Sequence, residues 1–180
     1  MARQLWLLRH AEAEPHGTRS DSERRLTVRG EAQARAAGLA LALLQADFEA
    51  VLSSPKVRAS RTAELAVERW SEDQRRRLQV DPALAGGYDA RQALDALGAV
   101  GADGRLLLVG HEPDFSRLVG ELTGGSVDLK KGGLAVVRLE GARGELVVLM
   151  RPRELALIAD RSAARGGGSL RAVGVPVDGD

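Results

Sequence analysis

Apolar residues fall in short blocks along this chain, and the blocks differ in period. Residues 4–8 form an apolar run with no alternation, the pattern of a strand covered on both faces, and it stops abruptly at Arg9 and His10. Residues 11–26 are polar and broken by Pro15 and Gly17, which predicts a loop. A helix to about Gln45 follows, with Thr27 placed to cap it and Ala32, Ala36, Leu39 and Leu43 recurring as one apolar stripe. Residues 48–52 read as a second buried strand. In "SSPKVRAS" Ser54 is a natural N-cap and Pro55 suits the first helical position, where its missing N–H is harmless. Ala59, Ala63, Ala66 and Trp70 continue that helix at helical spacing.

Residues 71–88 are charged and then loop-like, with a short strand at 78–80. Residues 91–100 predict a helix turning Ala93, Leu94 and Leu97 inward. Residues 105–113, "RLLLVGHEP", contain another buried strand, and Phe115, Leu118, Val119 and Leu122 mark the helix after it. Residues 134–139 and 145–150 are strands joined by "EGARG", too short for a parallel crossover, so they must pair antiparallel. A last short helix is expected at 152–159, and "GGGS" after Arg165 reads as part of a loosely tethered tail. The pattern is that of an α/β domain with a mostly parallel sheet and one antiparallel edge strand. We expect a single domain over residues 1–160 with the tail at 161–180.

Composition narrows the function classes. The 180 residues carry 26 basic and 25 acidic side chains, a net charge of +1, so bulk charge points to neither nucleic acid nor a membrane. Lysine occurs at positions 56, 130 and 131, and the other basic residues are arginine, so an arginine is not special here merely by its type. The absence of cysteine excludes disulfides, thiolate catalysis and cysteine metal sites. The first apolar run is too short for a signal peptide, and no stretch approaches the roughly 20 residues that span a bilayer. A soluble, cytoplasmic protein is expected.

Two of the three histidines occupy equivalent places. His10 follows the first strand, and His111 follows the strand ending at Val109 by one glycine. If those strands are parallel neighbours, both imidazoles emerge at one carboxyl-end edge, where ligands of open α/β sheets sit. One such histidine is readily explained by a strand-end hydrogen bond, whereas two at matching positions form a sharper coincidence. His16 lies in the polar loop and reads as a surface residue. Arg9 adjoins His10, and Arg58 stands in the first turn of a helix, whose free N–H groups and dipole favour an anion. Arg58 adds a fork of donors matched to phosphate oxygens. Arg61, one turn further, reads as a solvated helix arginine. Arg9, His10, Arg58 and His111 thus describe a pocket for a dianion, with phosphate the obvious candidate.

The quoted blocks also resemble a known family. "LLRHAEAE" is similar to the Arg-His-Gly signature of the histidine phosphatase superfamily, with Ala11 where glycine is usual. "RRLTVRG", "VLSSPKVRASRTAE", "LLLVGHEPDFSRLV" and "LKKGGLAVV" resemble the small SixA-type phosphohistidine phosphatases, in order and at the right spacing over about residues 3–155. The resemblance implies a phosphoglycerate mutase-like fold, a three-layer α/β/α sandwich. It implies His10 as a nucleophile that becomes phosphohistidine before water releases the phosphate. Arg9, Arg58 and His111 would bind the non-bridging oxygens, and Arg24 aligns with an arginine that also reaches the phosphate. His10 must attack as a neutral imidazole, which neighbouring arginines favour, and a backbone carbonyl on its other nitrogen would fix the tautomer.

Larger relatives carry a carboxylic acid that protonates the leaving oxygen. In the corresponding "LAGGYDARQ" the one acid is Asp89, a candidate proton donor. Without a strong acid, a phosphoramidate such as phosphohistidine is a better substrate than an alkyl phosphate, whose alkoxide leaves poorly. Glu12 and Glu14 read as loop residues, since carboxylates pointing inward would repel phosphate. "LKKGG" precedes a strand, so it is a turn that puts Lys130 and Lys131 near the mouth at best, not a phosphate loop. No metal-ligand spacing appears and no cofactor is implied. The leading expectation is a metal-independent phosphatase acting on phosphohistidine in a protein partner or on a small phosphorylated compound. A broad phosphomonoesterase or mutase-like enzyme on small metabolites is the alternative. A non-catalytic phospho-ligand-binding module is a third reading, disfavoured while all four site residues are present.

Overall fold

In the computed structural model, residues 2–141 and 143–165 are described. Six strands, β1 (Arg3–Arg9), β2 (Ala50–Ser53), β3 (Leu78–Val80), β4 (Arg105–Gly110), β5 (Leu134–Glu140) and β6 (Arg143–Met150), form one sheet in the order β3-β2-β4-β1-β5-β6. The pairs β1·β4, β2·β4 and β2·β3 are parallel, while β5 runs antiparallel to both β1 and β6. The expected hairpin therefore closes one side of a mostly parallel sheet.

The helices are α1 (Val28–Leu43), α2 (Val57–Val67), α3 (Glu72–Arg76), α4 (Ala90–Gly98), α5 (Asp114–Thr123) and α6 (Pro152–Arg165). On one face Trp6, Leu8, Leu107 and Val109 pack against α1, α2 and α6; on the other, Leu5, Leu7, Leu106 and Leu108 pack against α4 and α5. That three-layer arrangement is why β1 and β4 show unbroken apolar runs: both faces of each strand are buried, so alternation has no meaning there. Edge strand β6 alternates exposed and partly buried residues.

Several boundaries differ from expectation. Thr27 does cap α1, accepting from the Gly30 N–H at 3.0 Å, but the buried face of α1 is Gly30, Ala34, Ala37, Gly38 and Leu41, while Ala32 and Leu43 are exposed. In a helix this rich in alanine and leucine several faces look apolar, and the close approach of α2 selects the one carrying glycine. A Cβ on Gly38 would lie 1.9 Å from the Ala66 carbonyl oxygen. Trp70 Nε1–H donates to the Gly38 carbonyl at 2.9 Å and ties the two helices together. Ser54 and Pro55 precede α2 rather than open it; Lys56 takes the cap position, and its N–H reaches Ser54 Oγ at 3.3 Å. The charged run at 71–77 includes α3, capped by Ser71, which propensity alone did not reveal. Helix α6 continues to Arg165, so residues 161–165 are helical and not tail; the rest of the expected tail, 166–180, lies outside the described residues.

The α1–α2 contact makes a sharp test. Gly38→Ala should destabilise the fold by about 3 kcal/mol, because backbone rather than a movable side chain blocks the added methyl. Urea unfolding measures this, and a loss below roughly 0.5 kcal/mol would contradict the packing described.

Candidate active site

Strands β1 and β4 end level with each other, Arg9 facing Gly110 in register. The His10 N–H donates to the Gly110 carbonyl at 2.9 Å, and the next residue on that side is His111. Both imidazoles are buried, with ring centroids 5.1 Å apart.

The hydrogen bonds of His10 define its protonation. Its Nδ1 lies 2.8 Å from the Ala11 carbonyl oxygen, which only accepts, so Nδ1 carries the proton. Its Nε2 then holds a lone pair, and Arg58 Nε–H donates to it at 3.2 Å. Ala11 itself is fully buried against Ala34 and Leu65, and its N–H donates to Thr62 Oγ1 at 3.1 Å. The methyl that replaces the usual glycine hydrogen therefore has a place in the packing.

His111 Nε2 lies 2.8 Å from Ser54 Oγ, which the strand-end position of Ser54 after β2 makes possible. Burial drives the pKa of both imidazoles down to about 3, and the charges of Arg58 and Arg9 push in the same direction. For His10 the Ala11 carbonyl opposes the shift; for His111 the carboxylate of Asp21 does so.

Around the histidines lies a cleft of about 480 Å³ lined by Arg9, Arg24, Lys56, Arg58 and Lys131 among the cations. Arg9 reaches the Leu129 carbonyl through Nη1 at 2.7 Å. Arg24, buried in a loop, donates from Nε to the Glu14 carbonyl at 2.8 Å, and its Nη1 meets His16 and Asp21. Asp21 holds three cations at once: Arg24 Nη1 at 3.1 Å, Lys56 Nζ at 2.9 Å and Arg58 Nη2 at 3.2 Å. Lys56 and Arg58 hold its carboxyl well below the usual range, against the opposing effect of burial. Among the described residues no group of three or more His, Asp or Glu side chains is gathered as a metal site would need.

The chain matches the model of the histidine phosphatase superfamily (branch 1) over residues 5–85, which include Arg9, His10, Arg24 and Arg58. The structure of the protein histidine phosphatase SixA complexed with tungstate is 26% identical, covers 84% of this chain and 99% of its own, and superposes with a TM-score of 0.68. The chain belongs to the histidine phosphatase superfamily. Superfamily members are phosphatases. An uncharacterised protein of Picosynechococcus sp. (strain PCC 7002) is 30% identical over 84% of this chain and 98% of its own length. A phosphoserine phosphatase variant of Entamoeba histolytica in complex with phosphoserine shares the fold at 14% identity, with a TM-score of 0.66 over 85% of this chain and 99% of that one.

Of the residues singled out in the sequence of this superfamily member, Arg9, His10, Arg24, Arg58 and His111 meet at one cleft. Asp89 does not. Its carboxylate accepts the Gln92 N–H at 2.9 Å as the N-cap of α4, and it is absent from the cleft lining. In its place the cleft is bordered by Gly86 and Gly87, pinned by the buried Asp114, which accepts the Gly87 N–H at 2.7 Å. Gly87 sits at φ +78°, a conformation that favours glycine. Lys131 and His16 line the cleft, while Lys130 pairs with Asp128 instead. Arg61 pairs with Glu31 and Glu64 outside it. Glu12 and Glu14 serve the loop, Glu12 accepting from Thr27 and Glu14 from the Arg25 N–H.

Asp21, Lys56 and Glu112 are not singled out as site residues by the sequence, and Ser54 reads there as a helix cap. The "HEP" block carried a signal for Glu112, since it adjoins His111; Asp21 in a polar loop carried none.

Neutral burial of both histidines has a thermodynamic consequence. Unfolded imidazoles take up protons near 6.5, the folded ones only near 3, so the unfolded state binds more protons in between. Stability must therefore fall on acidification through that window, by about 2 kcal/mol between pH 7 and 5.5 for the pair. Urea titrations at the two pH values should show this, and replacing both histidines with Asn should remove most of it. A flat stability across the window would contradict neutral burial.

Proposed function

We propose that this chain is a metal-independent phosphatase working through a phosphohistidine on His10, and that its substrate is phosphohistidine on a protein. The observation that carries the chemistry is the state of His10: a buried neutral imidazole with Nδ1 held by a carbonyl and the Nε2 lone pair facing the cleft's arginine.

Nε2 attacks phosphorus as the bond to the leaving atom breaks on the opposite side, giving Nε2–phosphoryl; water then attacks and regenerates the imidazole. Catalysis of such transfers is mostly positioning and stabilisation of charge on the equatorial oxygens. Arg9, Arg58 and His111 are the donors for those oxygens, with Arg24 adding a fourth. Until a phosphoryl group enters, the carboxylate of Asp21 balances Arg24, Lys56 and Arg58. The arginines supply the positive charge that other phosphatases take from metal ions. The SixA neighbour, complexed with the tetrahedral oxyanion tungstate, supports both the anion site and the choice of phosphohistidine.

Three measurements test this reading together. His10→Ala should lower turnover of an aryl phosphate at least a thousandfold, and Arg58→Ala by about a hundredfold. A chelator should leave the wild-type rate unchanged. Among substrates, a phosphohistidine protein should exceed phosphoserine and sugar phosphates in kcat/KM. Unchanged activity in His10→Ala would remove the nucleophile, and a preference for sugar phosphates would replace the substrate.

A further inference from the structure

Three buried side-chain polar atoms lack a hydrogen-bond partner among the described residues: Arg9 Nε, His111 Nδ1 and Glu112 Oε1. All three belong to residues lining the one cleft that holds His10. A buried polar atom left unpaired costs about 1–3 kcal/mol, so three around one cleft point to a ligand that satisfies them. A phosphoryl group offers acceptors only. Arg9 Nε–H suits it as it stands, and His111 suits it when the proton is on Nδ1, with Nε2 accepting from the Ser54 hydroxyl 2.8 Å away. Glu112 Oε1 suits it only as an O–H. A carboxylate there would face the substrate's negative charge without a partner.

Resting on the phosphatase reading above, we infer that Glu112 is the proton donor to the leaving atom, which extends the substrate class to oxygen-linked phosphomonoesters. As Nε2–P forms and P–O breaks, the electron pair goes to the leaving oxygen, and the Glu112 proton joins it as an alcohol. In the second half the Glu112 carboxylate takes a proton from the attacking water, and the acid is restored. The groups that face Glu112 are Ser116 on α5, Arg9 at the end of β1 and Asp128 in the connection before β5. Burial raises the Glu112 pKa above its ordinary value and outweighs the lowering by Ser116 and Arg9, in keeping with a carboxyl held ready to give a proton. This role falls to a residue next to His111 rather than to Asp89, whose carboxylate is spent on capping α4.

The test is a leaving-group series with the full chain. Glu112→Gln should lower kcat/KM for alkyl phosphates such as phosphoserine about thirtyfold or more beyond its effect on kcat/KM for p-nitrophenyl phosphate, whose leaving group needs no proton, while kcat, which includes the water step that Glu112 also serves, should fall for both. Glu112→Asp should recover part of the alkyl activity. In the wild type, kcat/KM for the alkyl phosphate should fall with rising pH over a range where the p-nitrophenyl value stays level, a readout independent of whether the variants fold. Equal losses of kcat/KM across the series, no loss at all, or parallel pH profiles would overturn the assignment. Absence of a phosphoenzyme on His10 with p-nitrophenyl phosphate in the wild type would instead defeat the phosphatase reading on which it rests.

Discussion

The hydrogen bond from the His10 N–H to the Gly110 carbonyl, 2.9 Å long, extends the β1·β4 ladder by one step past the end of β1. Every other feature of the site depends on it. It holds two chain segments level as they leave the sheet, so that imidazoles 101 positions apart in sequence stand 5.1 Å apart in space. Apolar layers on both faces of β1 and β4 keep those strand ends dry, and the dryness keeps both rings neutral. A neutral ring is what a histidine nucleophile requires. The core and the chemistry are therefore one arrangement: the residues that bury the strands also set the protonation of the groups beyond them.

Charge around those rings is balanced locally. Arg24 and Arg58 are buried, and isolated burial of guanidinium groups would be costly. Asp21 offsets both, with Lys56 joining on the same carboxylate. On the proposed function, a phosphoryl dianion entering the cleft meets the same donors, so the site exchanges one anion for another rather than assembling its cations anew. Such preorganisation is the usual source of rate in phosphoryl transfer. Glu112 stands apart from this balance: its buried Oε1 has no hydrogen-bond partner among the described residues, and burial outweighs the opposing effects of Ser116 and Arg9.

How much of this was legible in the sequence follows from what each signal depends on. The runs ending at Leu8 and Val109 were unambiguous because burial on both faces leaves no polar position, and the histidines after them marked the edge. The stripe Phe115, Leu118, Val119 and Leu122 was read correctly because α5 has one apolar face against the sheet. The buried face of α1 was misread because alanine suits either face, and only the contact of Gly38 with α2 distinguishes them. Arg9, His10, Arg58 and His111 were found through strand ends and a helix start, local features that the chain shows directly. Asp21 was missed because its contacts with Lys56 and Arg58 join segments remote in sequence, Ser54 was read as a helix cap when its hydroxyl meets His111, and Glu112 was passed over although it adjoins His111. Asp89 was misplaced for the converse reason: its local pairing with Gln92 as a capping box decides its role, whatever acid a relative carries at that region.

The central claim is that His10 carries the phosphoryl group. Rapid acid-free denaturation of the chain during turnover of a radiolabelled aryl phosphate, followed by peptide mapping, tests it directly. The account predicts one labelled peptide containing His10, with a bond stable to base and labile to acid. Label on a serine, an aspartate or another histidine, or turnover with no labelled protein at all, would contradict it.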